Sequence, residues 1–170
     1  MKLMNFHRED FTRRCAIDTN VLLRQAQKEH EHSSTASQSL RNLLQQNVLL
    51  CLMPQTIYEF WAVVTRPSTA RGGFCWTTQQ AASEVEKLEE AYTIFIPTRM
   101  SVYREWKRLV STYHVSGVAV HDAHLVATMK SNHVEEILTF NTKDFTRYTP
   151  ENIRVLDPAQ IADISPTNAP

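Results

Sequence analysis

The run Val48-Leu49-Leu50-Cys51-Leu52 contains no polar side chain. A strand with one wet face alternates apolar and polar residues, so five apolar residues in a row read as a strand covered on both faces. Shorter apolar runs recur along the chain. Cys15-Ala16-Ile17, Thr93-Ile94-Phe95-Ile96, Ile137-Leu138-Thr139-Phe140 and Ile153-Arg154-Val155-Leu156 read as four further strands. Helical signals lie between them. Asp18-Thr19-Asn20 offers capping residues before Val21, Leu22 and Leu23, and Ser33-Ser34-Thr35 offers a cap for a helix through Leu40, Leu43 and Leu44. Pro54 suits the first turn of a helix carrying Ile57, Phe60, Trp61 and Val64, which Arg66-Pro67 ends. Gly72-Gly73 marks a loop, and Thr77-Thr78 caps a helix to about Tyr92. Residues 100–114 form a charged amphipathic helix, and another runs from about Val120 to Ser131. Strands alternating with helices predict an α/β domain with a mainly parallel sheet.

A chain of 170 residues fits one domain and can bury roughly 70% of its unfolded surface, so it needs no disulfide staples. Cys15, Cys51 and Cys75 are widely spaced, with no CxxC pair. Their odd number, and the apolar neighbours of Cys15 and Cys51, predict reduced thiols in a cytoplasmic protein. The opening residues MKLMNFHREDFTRRC hold no apolar stretch of signal-peptide length, and no run is long enough to span a membrane. Three glycines supply neither a P-loop nor a dinucleotide fingerprint, and no G-x-S-x-G elbow exists for a serine hydrolase. Lys+Arg and Asp+Glu are both 18, which excludes a histone-like binder and an acidic tail protein while leaving room for a local basic patch.

The acids are placed unevenly. Glu59 is the only one from His32 through Ser83, Asp122 the only one from Trp106 through Val134, and Asp18 the only one from Phe11 through Lys28. At the overall density, the first of these stretches would hold about five. A lone acid among apolar residues is costly to bury unless paired, hydrogen-bonded or metal-bound. Asp18 follows the first strand, and Asn141, Lys143 and Asp144 follow the fourth, while sites in open parallel sheets form at the carboxyl ends of strands. Asp122 shares a helix face with Leu125, Val126 and Met129, and Glu59 lies in the helix after the second strand. One cleft could collect Asp18, Glu59, Asp122 and Asp144. Four carboxylates so close need cations to stay ionised, and an all-oxygen set suits Mg²⁺ or Mn²⁺.

These residues resemble a known family. Ala16-Ile17-Asp18-Thr19-Asn20-Val21-Leu22 is similar to the opening strand motif of PIN-domain ribonucleases. Tyr58-Glu59 with Val63-Val64-Thr65-Arg66-Pro67 resembles their second acidic motif, His121-Asp122-Ala123-His124-Leu125-Val126-Ala127 the third, and Leu138-Thr139-Phe140-Asn141-Thr142-Lys143-Asp144-Phe145 the fourth. The match is closest to VapC-type toxins and covers about residues 14–157. The resemblance implies a three-layer α/β/α sandwich over residues 14–157; residues 1–13 are then an N-terminal extension, and the chain after Pro158 reads on its own as a loose tail over 158–170. The resemblance also implies a Mg²⁺-dependent endoribonuclease with Asp18, Glu59, Asp122 and Asp144 as catalytic metal ligands. Asn20, Thr139 and Asn141 match supporting positions. Some relatives carry an acid where this chain has Asn141, which makes Asp144 a candidate for a water-mediated ligand. A small antitoxin and a homodimer are the implied protein partners. Two rival functions are an RNA-processing nuclease without a toxin role and a non-catalytic RNA- or protein-binding module.

Other groups are secondary. His30-Glu31-His32 reads as a solvated surface, and His121 and His124 could reach zinc, although the neighbouring carboxylates favour a harder ion. Arg66, Arg71, Arg104, Lys107 and Arg108 are candidates for contacts to an RNA backbone. Phe60 and Trp61 are candidates for a surface facing another chain.

Overall fold

The computed structural model describes residues 11, 13–70, 72–96 and 99–164. Five strands, β1 (Arg13–Ile17), β2 (Val48–Leu52), β3 (Thr93–Ile94), β4 (Glu136–Leu138) and β5 (Arg154–Leu156), form one sheet in the order β3-β2-β1-β4-β5. Every pairing is parallel. The helices are α1 (Thr19–Ala26), α2 (Ser33–Gln45), α3 (Pro54–Val64), α4 (Thr78–Ala91), α5 (Arg99–Thr112), α6 (Val120–Ser131), α7 (Thr142–Thr146) and α8 (Pro158–Ala162).

Side-chain alternation along β1 divides the core into two layers. Cys15 and Ile17 join Leu22, Leu40, Leu43 and Phe60 beneath α1 to α4, while Ala16 joins Leu109, Val126 and Met129 beneath α5 and α6. All five residues of β2 are buried, as its unbroken apolar run requires. The architecture is therefore the three-layer α/β/α sandwich that the sequence led us to expect. Pro54 does occupy the first turn of α3, and Thr77 caps α4 through a reciprocal capping box with Gln80. Among the described residues, no helix is long and apolar enough to cross a membrane.

Three expectations need correction. The third strand keeps only Thr93 and Ile94, because β3 is an edge strand paired on one side with Cys51 and Leu52. The tail is not loose from Pro158: Asp157 caps α8, and Asn42 Nδ2 donates to the carbonyls of Ile161, Ala162 and Ile164. Asn42 is itself buried, so these bonds fasten α8 to α2 while satisfying a polar group in the core. Phe60 faces no second chain; it is 1% exposed and packs edge-on against Trp76. Cys15 and Cys51 are buried free thiols, whereas Cys75 is exposed.

Candidate active site

The strand order reverses direction at β1, whose neighbours are β2 and β4. Such a switch point opens a crevice at the carboxyl ends of the strands. Asp18 stands there, directly after β1, with its backbone N–H bonded to the Leu138 carbonyl of β4 at 3.1 Å. Although it is the residue before α1, its side chain makes no capping bond. It serves a different network. Thr139 Oγ1 donates to Asp18 Oδ2 at 2.6 Å, and Asn20 Nδ2 donates to the same oxygen at 2.6 Å. Asn20 Oδ1 accepts from the Phe140 N–H, and Thr139 Oγ1 accepts from the Asn141 N–H. Asn20 and Thr139 thus lock the end of β1 to the end of β4.

Glu59 enters from the second turn of α3. Thr19 Oγ1 donates to its Oε2 at 2.8 Å, and Gln55 Nε2 donates to its Oε1 at 2.7 Å. Gln55, one turn earlier on the same helix, also reaches across to α6. Its Nε2 lies 3.0 Å from the His121 carbonyl, and its Oε1 lies 2.6 Å from His124 Nδ1. Because α6 leads into the amino end of β4, its own amino end, with Asp122 in the first turn, returns to the carboxyl edge of the sheet. Asp144 sits in the first turn of α7 and is exposed, as is Asn141, whose side chain makes no capping bond.

The four acids share one electrostatic field. Burial, reinforced by the charges of Glu59 and Asp122, pushes the Asp18 carboxyl up to about 6, against the pull of the Thr139 hydroxyl and the Thr19 N–H. Burial, with Asp144 and Glu59 close by, pushes Asp122 up to about 6, partly offset by Arg147 and His121. No Lys or Arg forms an ion pair with any of the four acids among the described residues. Nor, among those residues, does any group of three or more His, Cys, Asp or Glu side chains stand close enough to hold an ion as it is. The four acids gather at the carboxyl edge of the sheet, where Asp18 and Asp122 each feel the charge of acidic neighbours.

The basic candidates are scattered. Arg104 and Lys107 are exposed on α5, Arg66 is exposed beyond α3, and Arg71 lies outside the described residues. Arg108 is engaged elsewhere: it bonds Glu105 at 2.7 Å and Glu151 at 2.6 Å. Lys130 and Tyr113 also bond Glu151, and together they hold its carboxyl down at about 2. Lys130 follows Asp122 by eight residues on α6, about 12 Å along the axis at 1.5 Å per residue, so this cluster braces the far end of the helix. His32, from the polar segment after α1, stacks on Phe140 with ring centroids 5.3 Å apart. A separate concavity of about 1020 Å³ opens at the amino ends of the strands, where buried Glu136 pairs with Arg13 and Arg154, away from the acids.

Sequence reasoning missed Gln55, Thr19 as a partner of Glu59, and Arg147. The spacing of Gln55 one helical turn before Glu59 was the available signal; nothing local pointed to Thr19 or Arg147.

A three-layer α/β/α sandwich around a parallel sheet in the order β3-β2-β1-β4-β5 is a PIN-like fold. Solved structures agree. A chain of the VapBC2 complex from Rickettsia felis, bound to a promoter DNA fragment, matches with a TM-score of 0.62 at 15% identity, over 85% of this chain and 98% of that one. VapBC-1 from nontypeable Haemophilus influenzae gives 0.61 at 17% identity, over 85% and 98%. Mycobacterium tuberculosis VapC20, a toxin that cleaves the sarcin–ricin loop, gives 0.51 at 16% identity, over 72% and 86%. No family model and no curated protein sequence matches the chain. At these identities, what is shared is the fold.

Proposed function

We propose that this protein is a Mg²⁺-dependent endoribonuclease, with Mn²⁺ as a substitute ion, and the toxin of a toxin–antitoxin pair. The observation that carries the reading is Asp18: a carboxylate 8% exposed, facing Glu59 and Asp122, with no cationic side chain paired to it among the described residues. Buried charge of one sign calls for an opposite charge from outside the chain. The donors are oxygens throughout, which fits a hard divalent ion. Asp18 and Asp122 are its direct ligands in this reading, Glu59 holds a second ion or orients water, and Asp144 binds directly or through water.

A bound ion supplies Lewis acidity, polarising the phosphodiester, lowering the pKa of water and steadying the leaving oxygen. The chain's own residues fix the geometry. Thr139 and Asn20 set the rotamer of Asp18, and Thr19 and Gln55 hold both oxygens of Glu59 while leaving each a lone pair for water. Hydrolysis then leaves a 5′-phosphate and a 3′-hydroxyl. The RNA-cleaving activity of VapC20 supports RNA as substrate. The VapBC complexes support a small antitoxin partner, for which an inserted Arg pairing with the clustered acids is the natural inhibitor. A homodimer in the cytoplasm completes the reading.

Asp18→Asn is the direct test. It should keep the fold, lose most RNA cleavage, and lose Mn²⁺ binding followed by calorimetry. Undiminished cleavage by that variant overturns the assignment.

A further inference from the structure

Beside the acidic cleft, α3 and α6 enclose a pocket of about 320 Å³ lined by Pro54, Gln55, Tyr58, His121, His124 and Thr128. Two of its walls adjoin the acids in the chain: Tyr58 precedes Glu59, and His121 precedes Asp122. Tyr58 is 70% exposed, and among the described residues its ring has no aromatic or hydrogen-bonded partner. Tyr58 lies on the face of α3 opposite buried Phe60, so one side of its ring stands open at the pocket. The opposite wall is fixed. Gln55 Nε2 is committed as a donor to Glu59 and His121, so its Oε1 accepts the Nδ1–H of His124. That bond holds the imidazole in place, and Nε2 of the ring has no partner among the described residues.

We propose that this pocket is a nucleobase subsite, in which the base next to the scissile phosphate stacks on Tyr58 and meets the imidazole of His124 edge-on. The proposal rests on the ribonuclease reading for its occupant, since the phosphate of the same nucleotide would lie over the adjoining acids. The chemistry suits a base: an aromatic face for stacking, largely apolar walls, and a few fixed polar groups at the rim. Gln55 couples the two sites, because the amide that steadies the His124 wall also steadies Glu59. A base seated in the pocket would therefore align the nucleotide against carboxylates already held by the same side chain.

The test uses the full-length protein with ring-labelled Tyr and His, titrated with AMP, CMP, GMP and UMP and followed by NMR. Ribose 5-phosphate serves as the control that lacks a base. At least one nucleotide should shift the Tyr58, His121 and His124 ring signals saturably, and ribose 5-phosphate should leave them in place. Tyr58→Ala should weaken that binding about tenfold, and Tyr58→Phe should restore it, as expected for stacking on an exposed ring. Equal shifts with ribose 5-phosphate, or none with any nucleotide, overturn the subsite. Mn²⁺ line broadening at Asp18 and Asp122, together with RNA cleavage by the unaltered protein, reports on the ribonuclease reading separately. Cleavage and broadening without ring shifts sink the subsite alone; ring shifts without either support the pocket and overturn the nuclease.

Discussion

Thr139 Oγ1 donates to Asp18 Oδ2 across 2.6 Å, joining two residues 121 positions apart. Thr139 is wholly buried, and its hydroxyl also accepts from Asn20 and from the Asn141 N–H. One hydroxyl therefore fastens β1 to β4 and orients the most deeply buried acid of the cleft. Thr139→Val keeps the shape and removes the donor. It should cost about 1–2 kcal/mol in urea unfolding, the usual worth of a buried hydrogen bond. The loss of a bond to the ionised form should also raise the titration of Asp18 further, as read by NMR. An Asp18 titration that does not move would show that the hydroxyl is not its anchor.

The raised carboxyls fix the sign of the pH dependence without metal. Asp18 moves from 3.8 to about 6 on folding, and Asp122 does the same. Between those values the folded chain binds more protons than the unfolded one, so stability falls as pH rises. The contribution is complete below pH 3.8 and is lost by about pH 6; for Asp18 it amounts to about 3 kcal/mol. Metal-free protein should thus lose stability from pH 4 to pH 6.5, and Asp18→Asn should flatten that slope. Saturating Mn²⁺ should remove the slope as well, since the ion favours the charged carboxylates. Urea melts across this range, with and without Mn²⁺, decide the matter.

Gln55 supports Glu59 from outside the acid cluster. Gln55→Ala frees Glu59 Oε1 and the His124 ring together. Outer partners of ligating carboxylates typically change metal affinity or activity by 10- to 100-fold. RNA cleavage should fall within about that range, while thermal stability changes little because Gln55 is only half-buried. Cleavage at the unaltered rate would remove Gln55 from the site.

Antitoxin inhibition provides a test of what occupies the cleft. If an antitoxin Arg pairs with Asp18, Glu59 and Asp122, it competes with Mg²⁺ or Mn²⁺ for the same charge. Inhibition measured at several metal concentrations should weaken as metal rises. Inhibition independent of metal would rule out direct competition and leave a steric block of RNA access.

Much of the fold was legible in local pattern. The apolar run Val48–Leu52 became the fully buried β2, and Val120–Ser131 became α6 with Asp122 in its first turn. The isolation of Asp18, Glu59 and Asp122 among apolar neighbours marked them as candidates, and in the structure Asp18 and Asp122 feel the charge of Glu59. The reach of the basic helix was not legible. The sequence set Arg108 against Glu105 three residues before it, but its second partner, Glu151, lies 43 residues away, and only packing of α5 against α6 and the turn before β5 brings the two together. The tail failed for the same reason, since the Asn42 that anchors α8 is 119 residues from its first partner.

The sequence by itself determined the central strands and the longer helices, because side-chain period and capping act over a few residues, but not the two-residue length of β3 or the short helices α7 and α8. The tertiary structure alone decided who holds the acids. Parallel pairing sets β4 beside β1, bringing Thr139 to Asp18, and the approach of α3 to α1 and α6 brings Glu59 to Thr19 and Gln55 to His124. Hydrogen bonds reach about 3 Å whatever the separation along the chain, so strand order and helix packing, which no local pattern encodes, choose the partners.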